Sequence, residues 1–295
     1  MTLPREVLPG HFYLVTRRCT QRQFLLRPDA ATNNNFLYCL AVAAERCQIE
    51  VVLPCAMSNH YHAVVYDRRG NLPAFTEYFH KLVAKSQNAL RGRWENMWAD
   101  EQVSVVRLTD YVDVLAKLVY VATNPVKDGL VDKVHHWPGV NGLAALLAGR
   151  PLVATRPAHY FRADGPMPET STLELTVPPE LGDAEALRAA LRAHVDQEEQ
   201  RWAAERRRQG RGVLGRRAVL AQPWRGAPTT LEPRRGLRSR VASPNAWARA
   251  EALCRNRAFV AEYRRARAAW LTGLRVEFPP GTYWLRRFAH VPVGA

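Results

Sequence analysis

The stretch Ser58–Tyr66 reads SNHYHAVVY, and its β-branched and aromatic residues predict a strand. Side chains alternate between the two faces of a strand, so His60 and His62 point the same way. Two imidazoles on one face can share a metal ion, or they can simply be polar residues on a solvated sheet face. The hydrophobic run 51–57 predicts the partner strand of a hairpin, with Ser58-Asn59 as its turn.

The order of predicted elements around this hairpin is that of an α+β, ferredoxin-like sandwich. The elements are a strand over 11–19, a helix over 30–47, the hairpin strands over 50–57 and 60–68, a helix over 73–93 and a strand over 102–108. The order βαββαβ predicts four antiparallel strands with helices on one face. A further helix over 111–123 can be capped by Thr109 or Asp110, and Pro125 is expected to stop or kink it.

This last helix carries two residues that lie away from its apolar stripe. The stripe consists of Leu115, Leu118, Val119 and Ala122. Tyr120 and Asn124 lie nearly opposite and four residues apart, so their side chains can stack one turn above the other. A tyrosine that fills a core is expected within the stripe. Tyr120 is therefore either an ordinary exposed residue or a functional one.

Composition indicates a soluble globular protein. The chain has 295 residues, 47% of them hydrophobic, which is enough for a sizeable core. No window approaches the roughly 18 uninterrupted apolar residues of a membrane span, and no signal-peptide core is recognisable. We therefore expect a cytoplasmic protein without a membrane partner. Its five cysteines form no close pair and are expected to be buried thiols.

Charge indicates a polyanionic partner. The net charge of +15 suits nucleic acid, although charge alone does not separate DNA from RNA or from an acidic membrane surface. From Glu180 onward there are 23 arginines and no lysine against 11 acidic residues, a net +12 of that total. Arginine interleaved with tryptophan suits phosphate binding and base stacking. A GC-rich genome would explain arginine over lysine, but not the net charge.

Composition also divides the chain into three predicted parts. Residues 1–150 hold the elements above and form the first predicted domain. Residues 151–181 are rich in Pro, Thr and Ser and predict a linker or strap. Residues 182–295 predict a basic, mainly helical region that serves as a DNA-binding accessory.

Two segments in combination resemble the single-tyrosine HUH transposases, and more closely the REP-associated tyrosine transposases. They are NHYHAV, which contains His60 and His62, and the run Asn124–Val131, NPVKDGLV. The likeness covers about residues 10–142 and implies a ferredoxin-like fold, with the predicted domain 1–150 as the catalytic domain. It implies that His60 and His62 bind a metal with Asn124 as the third ligand, and that Tyr120 is the nucleophile. The implied metal is Mg²⁺ or Mn²⁺.

The resemblance also implies an activity, which is metal-dependent cleavage and rejoining of single-stranded DNA near hairpins, in the nucleoid. Attack by the tyrosine would give a 5′-phosphotyrosine and a free 3′-hydroxyl, which conserves the bond energy for rejoining. Two departures from the family are present. Tyr61 is bulkier than an aliphatic residue, and the basic C-terminal half has no counterpart in the shortest relatives.

Two other functions stay open. One is a regulator with the same fold that binds nucleic acid without cutting it. The other is an unrelated hydrolase with a His-x-His metal site, which would need a further carboxylate ligand. Four basic residues are weaker candidates for DNA contact, namely Arg17, Lys81, Lys85 and Lys117. The sequence predicts no oligomeric state.

Overall fold

The structure is a computed structural model that describes residues 4–231 and 239–294. Residues 1–3 of the predicted domain 1–150, and residues 232–238 and 295 of the predicted region 182–295, lie outside the described residues. The strands of the described part are β1 (His11–Arg18), β2 (Glu50–Ala56), β3 (His60–Asp67), β4 (Ser104–Leu108), β5 (Leu152–Thr155), β6 (Thr170–Leu173) and β7 (Val241–Ala242). Its helices are α1 (Ala30–Cys47), α2 (Leu72–Arg91), α3 (Tyr111–Lys127), α4 (Leu143–Ala148), α5 (Ala184–Arg208), α6 (Arg216–Ala221), α7 (Ala246–Leu271) and α8 (Trp284–Ala289).

Five strands form one mostly antiparallel sheet in the order β2-β3-β1-β4-β7. β3 lies between β2 and β1 and is antiparallel to both, and β1 is also antiparallel to β4. The two-residue β7 joins β4 in parallel. β5 and β6 form a separate antiparallel pair. The protein is thus a mixed α+β structure, as the sequence predicts.

Both faces of the large sheet are covered. On one face, Tyr61, Ala63 and Val65 of β3 pack into a core with α1 and α2. On the other face, Val64 and Tyr66 pack into a second core with α3 and α5. Because side chains alternate along a strand, His60 and His62 lie on the face that α3 covers. The sheet therefore sets the histidine pair against the helix that carries Tyr120.

α3 is longer than the sequence predicts. It was expected to end near residue 123 because of Pro125, but it continues to Lys127. Proline removes one backbone hydrogen bond, yet its φ suits a helix, and the ladder resumes directly after it. Asp128 N donates to Asn124 O over 3.0 Å. Asn124 and Lys127 are consequently held on the same helix as Tyr120.

The segment 151–181 contains β5 and β6, which pack beside α1. Tyr38 of α1 donates its hydroxyl to Pro168 O over 2.6 Å, and Asn34 Nδ2 donates to Thr155 O over 2.8 Å. After this segment, α5 packs on α3. Its contacts come from Leu187, Leu191 and Val195, which belong to the second core. The proposed division into three domains stays a prediction.

Four of the five cysteines are buried free thiols, as predicted, namely Cys19, Cys39, Cys47 and Cys55. Cys254 is exposed instead, because α7 buries little of its surface and Phe259 and Ala266 are its buried residues. Within residues 4–231 and 239–294, no helix is long and apolar enough to cross a membrane.

Asp67 joins the end of β3 to the start of α2. Its carboxylate is fully buried and accepts from the backbone N–H groups of Asn71 and Leu72, each over 2.8 Å. These N–H groups belong to the first turn of α2, where a helix has no internal acceptors. The carboxylate therefore fixes the position of α2 relative to the strand that carries the histidines.

We expect Asp67→Ala to lower the free energy of unfolding by about 2 kcal/mol, because it removes this cap and leaves buried N–H groups without acceptors. Urea unfolding at neutral pH measures the change. Asp164→Ala, at an exposed position, is the control and should stay within about 0.5 kcal/mol of the parent. Equal effects of the two substitutions would contradict the capping role.

Candidate active site

A cleft of about 770 Å³ opens where β3 begins, between that strand and α3. His60, His62, Tyr120 and Asn124 all line it. The four residues that the sequence singled out, on two elements some sixty positions apart, therefore lie together. The sheet supplies the first pair and the helix the second.

Three rings meet in this cleft. The ring centroids of His60 and His62 lie 4.8 Å apart with an interplanar angle of 82°. Those of His62 and Tyr120 lie 5.2 Å apart at 71°. Tyr120, which lies outside the apolar stripe of α3, thus packs edge-on against the histidine pair. It is partly buried rather than exposed.

Hydrogen bonds orient both imidazoles through Nδ1. Asn59 Nδ2 donates to Arg22 O over 3.2 Å, which turns its Oδ1 toward His60. His60 Nδ1 then donates to that Oδ1 over 2.7 Å and leaves the lone pair on Nε2. His62 Nδ1 lies 2.6 Å from Thr16 Oγ1, and it takes the same tautomer when the hydroxyl accepts. Nε2 of each ring is the nitrogen that remains for a ligand.

Both histidines are neutral near pH 7. Burial, followed by the charges of Arg18 and Lys127, lowers the pKa of His60 to about 4. Burial, followed by His60, Lys127 and Lys117, holds the pKa of His62 well below its usual value. A neutral imidazole is the form that binds a metal ion. The same cations give the cleft a positive potential.

Asn124 carries a buried oxygen that lacks a partner. Asn124 is 2% exposed, and its Oδ1 has no hydrogen-bond partner among the described residues. A buried amide oxygen without a donor costs about 1–3 kcal/mol, so such atoms are rare in folded proteins. This oxygen can donate a lone pair to a divalent cation instead. His60 and His62 line the same cleft.

Tyr120 is not activated by the protein alone. Burial raises the pKa of its phenol, Asp128 raises it further, and the Asn124 amide acts in the opposite sense. Two lysines flank the ring, with Lys127 Nζ 4.9 Å and Lys117 Nζ 5.7 Å from its centroid. These ammonium groups supply positive charge beside the phenol, where a phosphate would have to approach.

The four weaker candidates are placed differently. Lys117 lies beside Tyr120, and Arg17 lines the edge of the cleft. Lys81 lines another groove, on the far side of Arg17, and Lys85 is exposed on α2 outside the cleft lining. The catalytic, metal-binding and DNA-binding roles themselves stay predictions.

Sequence reasoning missed several residues of the site. Lys127 lies seven residues after Tyr120 on α3, and this spacing would have placed it on the same face if the helix had been extended beyond Pro125. Thr16 could be found only from the pairing of β1 with β3, where it lies opposite His62. Residues 228–231 of the C-terminal half also line the cleft, and no sequence signal indicates this.

The hydrolase alternative requires a carboxylate beside the histidines. In the part of the chain that the structure describes, no group of three or more His, Cys, Asp or Glu side chains could hold a metal ion. Asn124, whose amide oxygen has no partner among the described residues, lines the same cleft as the pair.

Comparison with family models and with curated proteins gives no match. The solved structures that are similar to the chain include two transposases. A REP-associated tyrosine transposase bound to a REP hairpin is 16% identical, with a TM-score of 0.43 over 50% of this chain and 86% of that one. A candidate transposase from Deinococcus radiodurans R1 is 12% identical, with a TM-score of 0.29 over 40% of this chain and 93% of that one. At these identities and TM-scores the likeness is loose.

We expect the metal-free protein to lose stability as the pH falls from about 7 to about 5. The folded-state pKa values of His60, His62 and His80 lie below the usual value near 6.5, so in this window the unfolded chain binds protons that the folded chain does not. Each such histidine lowers the free energy of unfolding by about 1.4 kcal/mol per pH unit. Urea unfolding in EDTA at several pH values measures the slope.

His80→Gln should reduce that slope by about 1.4 kcal/mol per pH unit, whatever it does to stability at pH 7. His194→Gln is the matched control, because His194 is exposed on α5 and should leave the slope unchanged. A stability that does not change between these pH values would contradict the neutral, buried histidines.

Proposed function

We propose that this protein is a metal-dependent single-tyrosine HUH transposase that cleaves and rejoins single-stranded DNA through a 5′-phosphotyrosine. One observation carries the proposal. His60, His62 and Tyr120 meet in a cleft that also contains the unpartnered Oδ1 of Asn124. The order β2-β3-β1-β4, in antiparallel pairing, supports the ferredoxin-like arrangement of such enzymes.

The residues present fit a divalent cation. Nε2 of His60 and of His62 and Oδ1 of Asn124 would hold it, and none of these ligands carries a charge. Mg²⁺ or Mn²⁺ bound there would supply a Lewis acid that keeps most of its positive charge. Thr16 and Asn59 would keep the two rings oriented through Nδ1.

Tyr120 would supply the nucleophile. Its oxygen attacks the scissile phosphorus, the bond from phosphorus to the 3′-oxygen breaks, and the phenolic proton ends on that oxygen as a 3′-hydroxyl. Attack by the 3′-hydroxyl on the phosphotyrosine reverses the step and needs no ATP. Lys117 and Lys127 would attract the phosphate to the tyrosine, because their ammonium groups lie beside the ring.

Single-stranded DNA beside a hairpin is the substrate that the sequence resemblance implies. The positive cleft fits a phosphate backbone, although Asp128 and Glu101 also line it. A regulator that binds without cutting would keep the cleft but would not need Tyr120 to lie against His62.

We expect the protein to form a covalent adduct with single-stranded hairpin oligonucleotides in Mn²⁺ or Mg²⁺ and none in EDTA. With 5′- and 3′-labelled strands on denaturing gels, the adduct should carry only the fragment 3′ to the cut, because the phosphate stays on the tyrosine. Tyr120→Phe should abolish the adduct, since it removes the attacking oxygen.

Tyr111→Phe is the matched control, since Tyr111 is an exposed tyrosine at the start of the same helix. Cleavage without an adduct that survives in Tyr120→Phe would replace the proposal with a metal hydrolase. Binding of many hairpins without any cleavage would favour the regulator.

We expect Asn124→Ala to weaken Mn²⁺ binding at least about tenfold in calorimetry, because even outer-shell partners of a metal are worth that much. Asn124→Asp keeps an oxygen at the same place and should bind Mn²⁺ at least as well as the parent. Asn96→Ala, at an exposed position outside the cleft, is the control. Unchanged affinity in Asn124→Ala would remove the amide from the ligand set.

A further inference from the structure

We propose that a second groove, between α2 and the helices α7 and α8, binds the single strand of DNA that leaves the candidate active site. The groove has a volume of about 790 Å³. Its walls come from both halves of the chain, with Lys81 of α2 on one side and Arg264, Arg267 and Trp284 on the other. The inference rests on the proposed function for the choice of DNA.

The groove adjoins the catalytic cleft. Arg17, Gln102 and Val103 line both spaces, so a chain that leaves the cleft past Arg17 enters the groove without crossing another element. The groove is also lined by residues near the start of the described chain and between α2 and β4, namely Pro4, Arg5, Val7, Trp98, Gln102 and Val103.

The groove is complementary in charge to a phosphate backbone. Arg264 and Arg267 lie on one face of α7 and Lys81 faces them from α2, against a single acidic residue, Glu77. In residues 4–231 and 239–294, no ion pair neutralises Arg264, Arg267 or Lys81. Unneutralised cations along a groove track a single strand and displace its counterions.

Aromatic rings stand at the outer end of the groove. Trp284 is 41% exposed and stacks on Phe288, with centroids 5.5 Å apart and rings within 8° of parallel. Tyr283 packs edge-on against Trp284 at 5.0 Å. Exposed flat rings beside cations provide stacking for unpaired bases of any sequence. A duplex keeps its base faces covered, so this arrangement favours a single strand.

Arg17 stands at the junction of the two spaces. Its Nη1 donates to His80 Nδ1 over 2.9 Å, and its guanidinium lies 5.6 Å from the centre of the Trp98 ring. Its Nε is buried and has no hydrogen-bond partner among the described residues. His80 and Trp98 thus hold the guanidinium in place by contacts that leave its charge without a carboxylate. A phosphate that passes this point would meet a positioned donor.

The test is the salt dependence of binding of the intact protein to fluorescent oligothymidylate of about 30 nucleotides, in EDTA, by anisotropy. Each phosphate contact to a single strand contributes about 0.7 to the slope of log K against log salt. Arg264→Ala/Arg267→Ala should therefore reduce the slope by about 1.4. Arg257→Ala/Arg265→Ala removes the same charge from exposed positions of α7 outside the groove, and should leave the slope unchanged.

A second pair of variants tests stacking. Trp284→Ala should weaken binding of the oligothymidylate at least about fivefold and leave binding of a duplex of equal length unchanged. Trp247→Ala is the control, since Trp247 is 87% exposed and lies outside the groove. If duplex binding falls equally, the groove is a general DNA surface and the proposal is wrong.

The outcomes separate this inference from the proposed function. Parent-like slopes and affinities in the groove variants, in a protein that still forms the Tyr120 adduct, overturn the groove alone. Loss of binding in the groove variants of a protein that forms no adduct supports the groove and overturns the transposase. If Arg264→Ala/Arg267→Ala changes sedimentation but not DNA affinity, the groove is an interface between copies of the chain, which also overturns the proposal.

Discussion

The register of β3 between its two neighbours is the constraint on which the candidate site depends. His62 lies opposite Thr16 of β1 and Cys55 of β2. Because successive side chains alternate, a slip of one residue would turn both histidines into the core of α1 and α2 and carry Tyr61 toward α3. The present register does more than face the rings toward the cleft. It also brings Thr16 within 2.6 Å of the His62 ring and so orients it.

Local periodicity explains what could be predicted from the sequence. The strand period puts His60 and His62 on one face, and the helical period puts Tyr120 and Asn124 on another, whatever the rest of the fold does. That the two faces meet depends on packing between distant elements, which neither period contains. That the histidine face and the tyrosine face meet was implied only by the resemblance of two short segments to a family. Thr16 was beyond prediction for the same reason, since strand register is not a local property. Lys127 was missed because Pro125 was expected to end a helix that tertiary contacts extend.

The site carries costs that a core designed for stability alone would avoid. His62 is buried and His60 half-buried next to cations, and the Asn124 oxygen is buried without a donor. Buried polar groups without partners concentrate where a protein binds or reacts, because a bound ligand can supply the partner. The arrangement at Tyr120 fits this view. Its pKa is raised in the protein alone, so the phenol stays protonated and unreactive until a ligand changes its surroundings.

Several arginines of the second half hold it against the rest of the chain rather than line an open groove. Arg206 donates to Val126 O at the end of α3, Arg188 to Leu146 O of α4, and Arg255 pairs with Glu6. These planar donors tie the second half to the sheet domain, a task that suits guanidinium better than ammonium. Net charge alone therefore overstates the surface that is available to DNA. Arg264 and Arg267 differ from these arginines, because they line a groove and no ion pair among the described residues neutralises them.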